Sequence, residues 1–203
     1  MKTVKNIKLT KAEKNLKGFS IPKQGIRNGA GREYGNVGKF VENVIADLGY
    51  ETNNRIGIDI PKLNIEIKTK NIHSRSAYGI GVMHIDKIIE NDYDSSLIKE
   101  KLQTIFIAKH DQNFREICNA RTLDFQKEEI QNKLRYAYNS ARDKIISGDR
   151  SSYIKGDNAC AYFENKRRYG EQSDSWSFRI PINQMEILES LAKSNFDNIC
   201  EII

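Results

Sequence analysis

The chain has no run of eighteen apolar residues, so no stretch is long enough to span a bilayer as a helix. Its N-terminus alternates lysine with polar residues and lacks the apolar segment of a secretory signal. Cysteine is scarce: Cys118, Cys160 and Cys200 are far apart and odd in number. They lack metal-ligand spacing and make a poor disulfide framework, so the expected compartment is the reducing cytoplasm. Internal repeats, low-complexity segments, P-loops and dinucleotide-binding patterns are all missing.

What is present is charge. The chain has 203 residues, 38% hydrophobic and 30% charged, which suits one domain or a domain with a small second lobe. The net charge is +6 and the pI about 9.1, a balance that favours an anionic partner. The excess is localised. Residues 1–39 carry ten Lys/Arg against two Asp/Glu, a net of +8 against +6 for the chain, which leaves −2 for the rest. The plain alternative is a solvated tail, but this tail runs straight into a cluster of carboxylates.

That cluster lies between Gly38 and Lys70. Leu63-Asn64-Ile65-Glu66-Ile67-Lys68 alternates apolar and polar residues, the period of a strand with one buried face. Glu66 and Lys68 share one face, Ile65 and Ile67 the other. Gly57-Ile58-Asp59-Ile60 reads as a preceding strand, with Pro61–Asn64 as the turn. Such a hairpin brings Asp59 beside Glu66, and two adjacent carboxylates repel unless a cation sits between them. Oxygen ligands select a hard ion such as magnesium. A lysine alongside can orient a water or offset charge building on a phosphate. The ordinary alternative is a surface hairpin with solvated charges. Upstream, Val37, Phe40, Val41, Val44, Ile45 and Leu48 recur at helical spacing, Gly49 is the expected cap, and Glu42 lies off the apolar stripe.

The rest follows in order. Leu9–Leu16 reads as a short helix capped by Thr10, and Gly18–Tyr34 as a glycine-bearing basic loop whose backbone N–H groups can approach phosphates. His73 and His84 fall near the expected site; each can touch phosphate or position a nucleophile, or be a surface or core residue. Ile80–Met83 and Leu102–Ala108 read as strands, the second deeply buried. Asp86–Glu90 reads as a short helix. Phe114–Ala120 reads as a strand turning at Asn119, and Phe125–Ile146 as a long helix ended by Gly148. Ser152–Ile154, Ala159–Phe163 and Ser177–Ile180 are further strands, and Met185–Leu191 a helix. Lys166, Arg167, Arg168 and Tyr169 sit at the tip of a hairpin, where cations beside an aromatic can enter a DNA groove.

Three blocks carry a resemblance. Tyr34-Gly35-Asn36-Val37-Gly38-Lys39-Phe40-Val41-Glu42, then Asp59 through Ile65-Glu66-Ile67-Lys68-Thr69, then Ser175-Trp176-Ser177-Phe178-Arg179-Ile180 resemble the PD-(D/E)xK nuclease superfamily. More narrowly, they resemble the group holding the MutH mismatch-repair nicking endonuclease and the restriction endonucleases MvaI and BcnI. Ile58 stands where that pattern has proline. The resemblance implies an α/β (α+β) fold: a central mixed β-sheet flanked by helices, in a single nuclease domain over residues 1–203. It would have a basic N-terminal arm over 1–36 and a DNA-recognition part at about 150–180.

By the same resemblance, Asp59, Glu66 and the carbonyl of Ile67 would hold Mg2+. Lys68 would orient the attacking water, and Glu42 would support a second metal or the water network. Double-stranded DNA is the implied partner, with Arg32, Lys39, Lys70, Lys166, Arg167, Arg168, Tyr169 and Arg179 as candidate contacts. The leading expectation is a type II restriction endonuclease. A MutH-like strand-nicking repair enzyme and a non-catalytic DNA-binding module are the alternatives. Monomer and homodimer stay open.

Overall fold

Helix α1, Tyr34–Asp47, begins three residues before the apolar pattern does. Val37, Val41 and Ile45 recur every four residues and are all buried. Past the helix end, Gly49 has a φ of 88° and donates its N–H to the carbonyl of Ala46 at 2.8 Å. These elements belong to a computed structural model, which describes residues 16–18, 34–47, 49–53, 57–111, 113, 116–166 and 173–193. The short helix expected at Leu9–Leu16 and the basic loop after Gly18 lie almost wholly outside the described residues. So do Arg32, Arg167, Arg168 and Tyr169.

The described elements continue as β1 (Ile65–Asn71), β2 (Tyr78–His84), α2 (Ile85–Glu90), α3 (Leu97–Lys101), β3 (Thr104–Asp111) and β4 (Glu116–Asp124). Then come α4 (Glu128–Ile146), β5 (Tyr153–Lys155), β6 (Tyr162–Asn165), β7 (Ser175–Ile180) and α5 (Ile182–Lys193). The class is mixed α and β, as expected. The strands, however, fall into two sheets rather than one: β1-β3-β4, and β2-β7-β6-β5.

The chain also divides into two compact units. One comprises residues 1–74 and 104–123, the other 75–103 and 124–203. In the first, β1 runs parallel to β3 in a register from Ile65 opposite Thr104 to Asn71 opposite His110. Parallel neighbours need a long crossover, and the chain from Ile72 to Gln103 supplies it through β2, α2 and α3. The core packs Val37, Val41 and Ile45 of α1 on Ile65 and Ile67 of β1, with Phe106, Ala108 and Ile117 beyond. Burying such aliphatic side chains stabilises the fold by about 1.5–3 kcal/mol each.

In the second unit the sheet is built from antiparallel neighbours. Its inner face presents Phe163 and Phe178, whose rings meet Tyr138 of α4 at 5.2 and 5.6 Å between centroids. Gly156 lies against α4: a Cβ there would stand 2.4 Å from the carbonyl oxygen of Ala137. Among the described residues no helix is long and apolar enough to cross a membrane.

Two local expectations are corrected. Asn119 does not turn β4; the strand runs through it to Asp124. The Asn119 amide oxygen accepts from Arg121 Nε at 3.3 Å, two residues along the same strand, so the side chain is engaged without bending the chain. The hairpin around Asp59 is also shorter than expected. Ile60 makes a single antiparallel bridge with Ile65, Pro61–Leu63 form one 3-10 turn, and Asn64 adopts a left-handed conformation.

Candidate active site on the edge of β1

The approach to Asp59 is shaped by its loop. Gly57 has a φ of 138°, a region that side-chain-bearing residues rarely adopt. A Cβ there would also press on the Asn53 amide nitrogen at 3.0 Å. Asn53 donates its backbone N–H to the carbonyl of Asp59 at 2.7 Å, and Ile60 is clamped to Ile65. The loop therefore returns to β1 at a defined point.

There Asp59 Oδ2 accepts the backbone N–H of Ile67 at 2.7 Å. β1 is the terminal strand of its sheet, with β3 on its other side. In an extended strand a residue's N–H and C=O leave the same side of the backbone. The Ile67 carbonyl therefore faces the edge occupied by Asp59. A side-chain oxygen and a backbone oxygen thus lie along the same edge of β1.

Glu66 and Lys68 occupy one face of β1, as the alternation requires. The burial differs from expectation. Glu66 is only 2% exposed, so β1 is covered on both faces at this point. Its Oε1 accepts from Lys68 Nζ at 2.6 Å, and the Lys68 side chain is 18% exposed. A buried carboxylate is costly unless paired, so the i, i+2 spacing lets one strand carry both the charge and its counter-charge. Asp59, Glu66 and Lys68 are thus gathered at the second to fourth residues of β1.

Glu42 lies on α1, one turn beyond Gly38, which approaches Thr69 of β1. Its carboxylate pairs with Lys39 Nζ at 3.1 Å, and Lys39 is exposed. Among the described residues no group of three or more His, Cys, Asp or Glu side chains is gathered for one metal ion. Glu42 therefore does not complete a three-carboxylate set with Asp59 and Glu66. Lys70 continues the Glu66–Lys68 column but is buried, with Nζ 3.5 Å from Ser74 Oγ.

The histidines separate. His84 is the N-cap of α2, its Nδ1 accepting the Asp86 N–H at 3.5 Å, which accounts for it structurally. His73 is 54% exposed, and its Nε2 lies 3.0 Å from Oδ2 of the buried Asp111. Asp111 also accepts the Asn113 N–H at 2.7 Å. Sequence reasoning passed over Asp111; the signal was the polar Lys-His-Asp ending of an otherwise apolar strand. In the second unit, Lys166 is exposed and its N–H bonds the carbonyl of Ser175 at 2.8 Å. Arg179 of β7 forms an ion pair with Glu164 of β6. Compared with known proteins, the chain matches no family model and no curated protein.

Proposed function

We propose that this chain is a magnesium-dependent endonuclease that hydrolyses phosphodiester bonds in double-stranded DNA at specific sequences, as type II restriction enzymes do. The observation that carries the reading is the bond from the Ile67 N–H to Asp59. It sets a carboxylate beside a backbone carbonyl, with Glu66 and Lys68 on the flanking positions. The spacing Asp59, Glu66, Lys68 is the one that resembles the PD-(D/E)xK nucleases, and the basic balance of the chain suits a polyanionic substrate.

The donor chemistry suits a hard divalent cation, which takes one or two carboxylates and keeps several waters. Asp59, Glu66 and the Ile67 carbonyl would hold it. Bound there, magnesium supplies an activated water and neutralises charge on the phosphate. Lys68 orients the attacking water and offsets the negative charge that builds on the phosphate oxygens. Because Glu66 holds its ammonium, that charge stays at one place on the strand. Glu42, paired with Lys39, would support a second metal or the water network rather than act as a direct ligand of this ion.

Supercoiled plasmid, incubated with magnesium or with EDTA, tests the proposal. Magnesium-dependent fragments of fixed size are expected. Open circles alone would point to strand nicking instead. DNA binding without any cleavage would leave only a binding module. Asp59→Ala is expected to abolish cleavage while duplex binding, followed by fluorescence anisotropy in calcium, persists.

A further inference from the structure

The outer face of the four-stranded sheet carries a second set of residues, wholly within the second unit. The ladder register sets Lys155 of β5 opposite Tyr162 of β6, and Tyr162 opposite Arg179 of β7. Tyr153 shares that face two residues before Lys155. On the other face Ile154, Phe163 and Phe178 are buried. Tyr153 is 58% exposed, although it is a large aromatic on an edge strand. Its ring centroid lies 6.1 Å from that of Tyr162, with the rings inclined at 59°. One ring can thus present a face to a flat ligand while the other presents an edge.

These rings border a cavity of about 420 Å³, whose wall also includes Lys155, Pro181, Asn183 and Gln184. That volume is within the range of small-ligand sites. Pro181 leads into α5, and Asn183 and Gln184 lie in its first turn. Amide side chains both donate and accept, which is what the edge of a nucleobase requires. The wall carries a lysine, and the carboxylate opposite Tyr153 on this face, Glu164, is paired with Arg179. A planar ring bearing a negative substituent matches it better than a neutral sugar. The Tyr162 hydroxyl is a donor at neutral pH, and burial pushes its pKa further up.

From this geometry we infer that the cavity bordered by Tyr153, Tyr162, Asn183 and Gln184 is a nucleobase site. It takes one base with its phosphate directed to Lys155. The base is either carried on a DNA strand or supplied as a free nucleotide. The site deepens the nuclease reading, giving the second unit a way to hold a base outside the duplex stack, but its test does not depend on cleavage.

Titration calorimetry with dAMP or TMP, against 2-deoxyribose 5-phosphate, reads the base contribution directly. Loss of the base is expected to weaken binding about tenfold, since stacking on an aromatic accounts for that much per base. Tyr153→Ala and Gln184→Ala are expected to remove the preference, and Tyr153→Phe to keep most of it. Tyr153 is exposed, so an unchanged melting temperature will show that the alanine variant still folds. A labelled single strand, compared with an abasic strand of equal length, distinguishes the sources. Preference for the normal strand assigns the site to DNA; nucleotide binding without that preference assigns it to free nucleotides. Equal binding of nucleotide and sugar phosphate, indifference to Tyr153→Ala, or equal binding of glucose overturns the site. A protein that cuts plasmid yet fails the nucleotide comparison loses this site and keeps its nuclease function; the reverse result removes the nuclease reading alone.

Discussion

Glu66 shows how one residue ties the proposed function to stability. Its carboxylate has almost no access to water and leans on Lys68 two positions along the same strand. From sequence alone Lys68→Ala reads as a purely catalytic lesion. The burial of Glu66 changes that, because removing the lysine strips a buried carboxylate of a counter-charge. Lys68→Ala is expected to cost about 3 kcal/mol in urea unfolding as well as abolishing cleavage. The double variant Glu66→Gln with Lys68→Met is expected to recover most of the stability and none of the activity.

His110 offers a second test at this scale. It is 4% exposed, and among the described residues its Nδ1 has no hydrogen-bond partner. Burial lowers its pKa from the usual 6.5, and the neighbouring Asp111 only partly opposes this. The folded state therefore resists protonation more than the unfolded chain does. Stability from this group is full above pH 6.5 and declines as the pH falls through the lowered folded value. Melting temperatures between pH 7.5 and 5 are expected to fall less in His110→Phe than in the parent.

At the scale of elements, the strands and helices were largely legible because their periods are written in the letters. The helix α4 repeats Ile130, Leu134, Ala137, Tyr138, Ala141 and Ile145 on one face, and all are buried. The strand β3 is apolar and β-branched and is buried along most of its length. Boundaries were less legible. The hairpin before β1 shrank to one bridge because the Asp59 side chain, not the backbone of a paired strand, takes the Ile67 N–H beyond the Ile60–Ile65 bridge. Close approach between elements was not legible at all. Gly156 looks like an ordinary turn glycine, yet it lies on the backbone of α4 at Ala137. Gly156→Ala is expected to destabilise the protein by about 1–3 kcal/mol, measured by chemical denaturation, because backbone atoms must shift to admit one methyl group.

For the whole molecule the relevant quantity is charge. All of the net positive excess lies in residues 1–39, so a polyanion should be held partly by counterion release. Replacing Lys5, Lys8, Lys11 and Lys14 by glutamine is expected to flatten the plot of log affinity for duplex DNA against log salt. Every phosphate that a lysine no longer neutralises lowers the steepness by about 0.9. Anisotropy titrations at several salt concentrations measure this, and an unchanged slope would exclude the N-terminal arm from the DNA interface.

The order of residues alone settled most of the element types, the placing of Glu66 and Lys68 on one face, and the positive charge of residues 1–39, since each is local in the chain. Three things required the fold. Two sheets formed instead of one, Glu66 and Lys70 became buried, and Tyr153, Tyr162 and Gln184 were drawn around one cavity. Those outcomes join residues far apart in the chain. Strand register and burial are set by long-range packing, which no local period encodes.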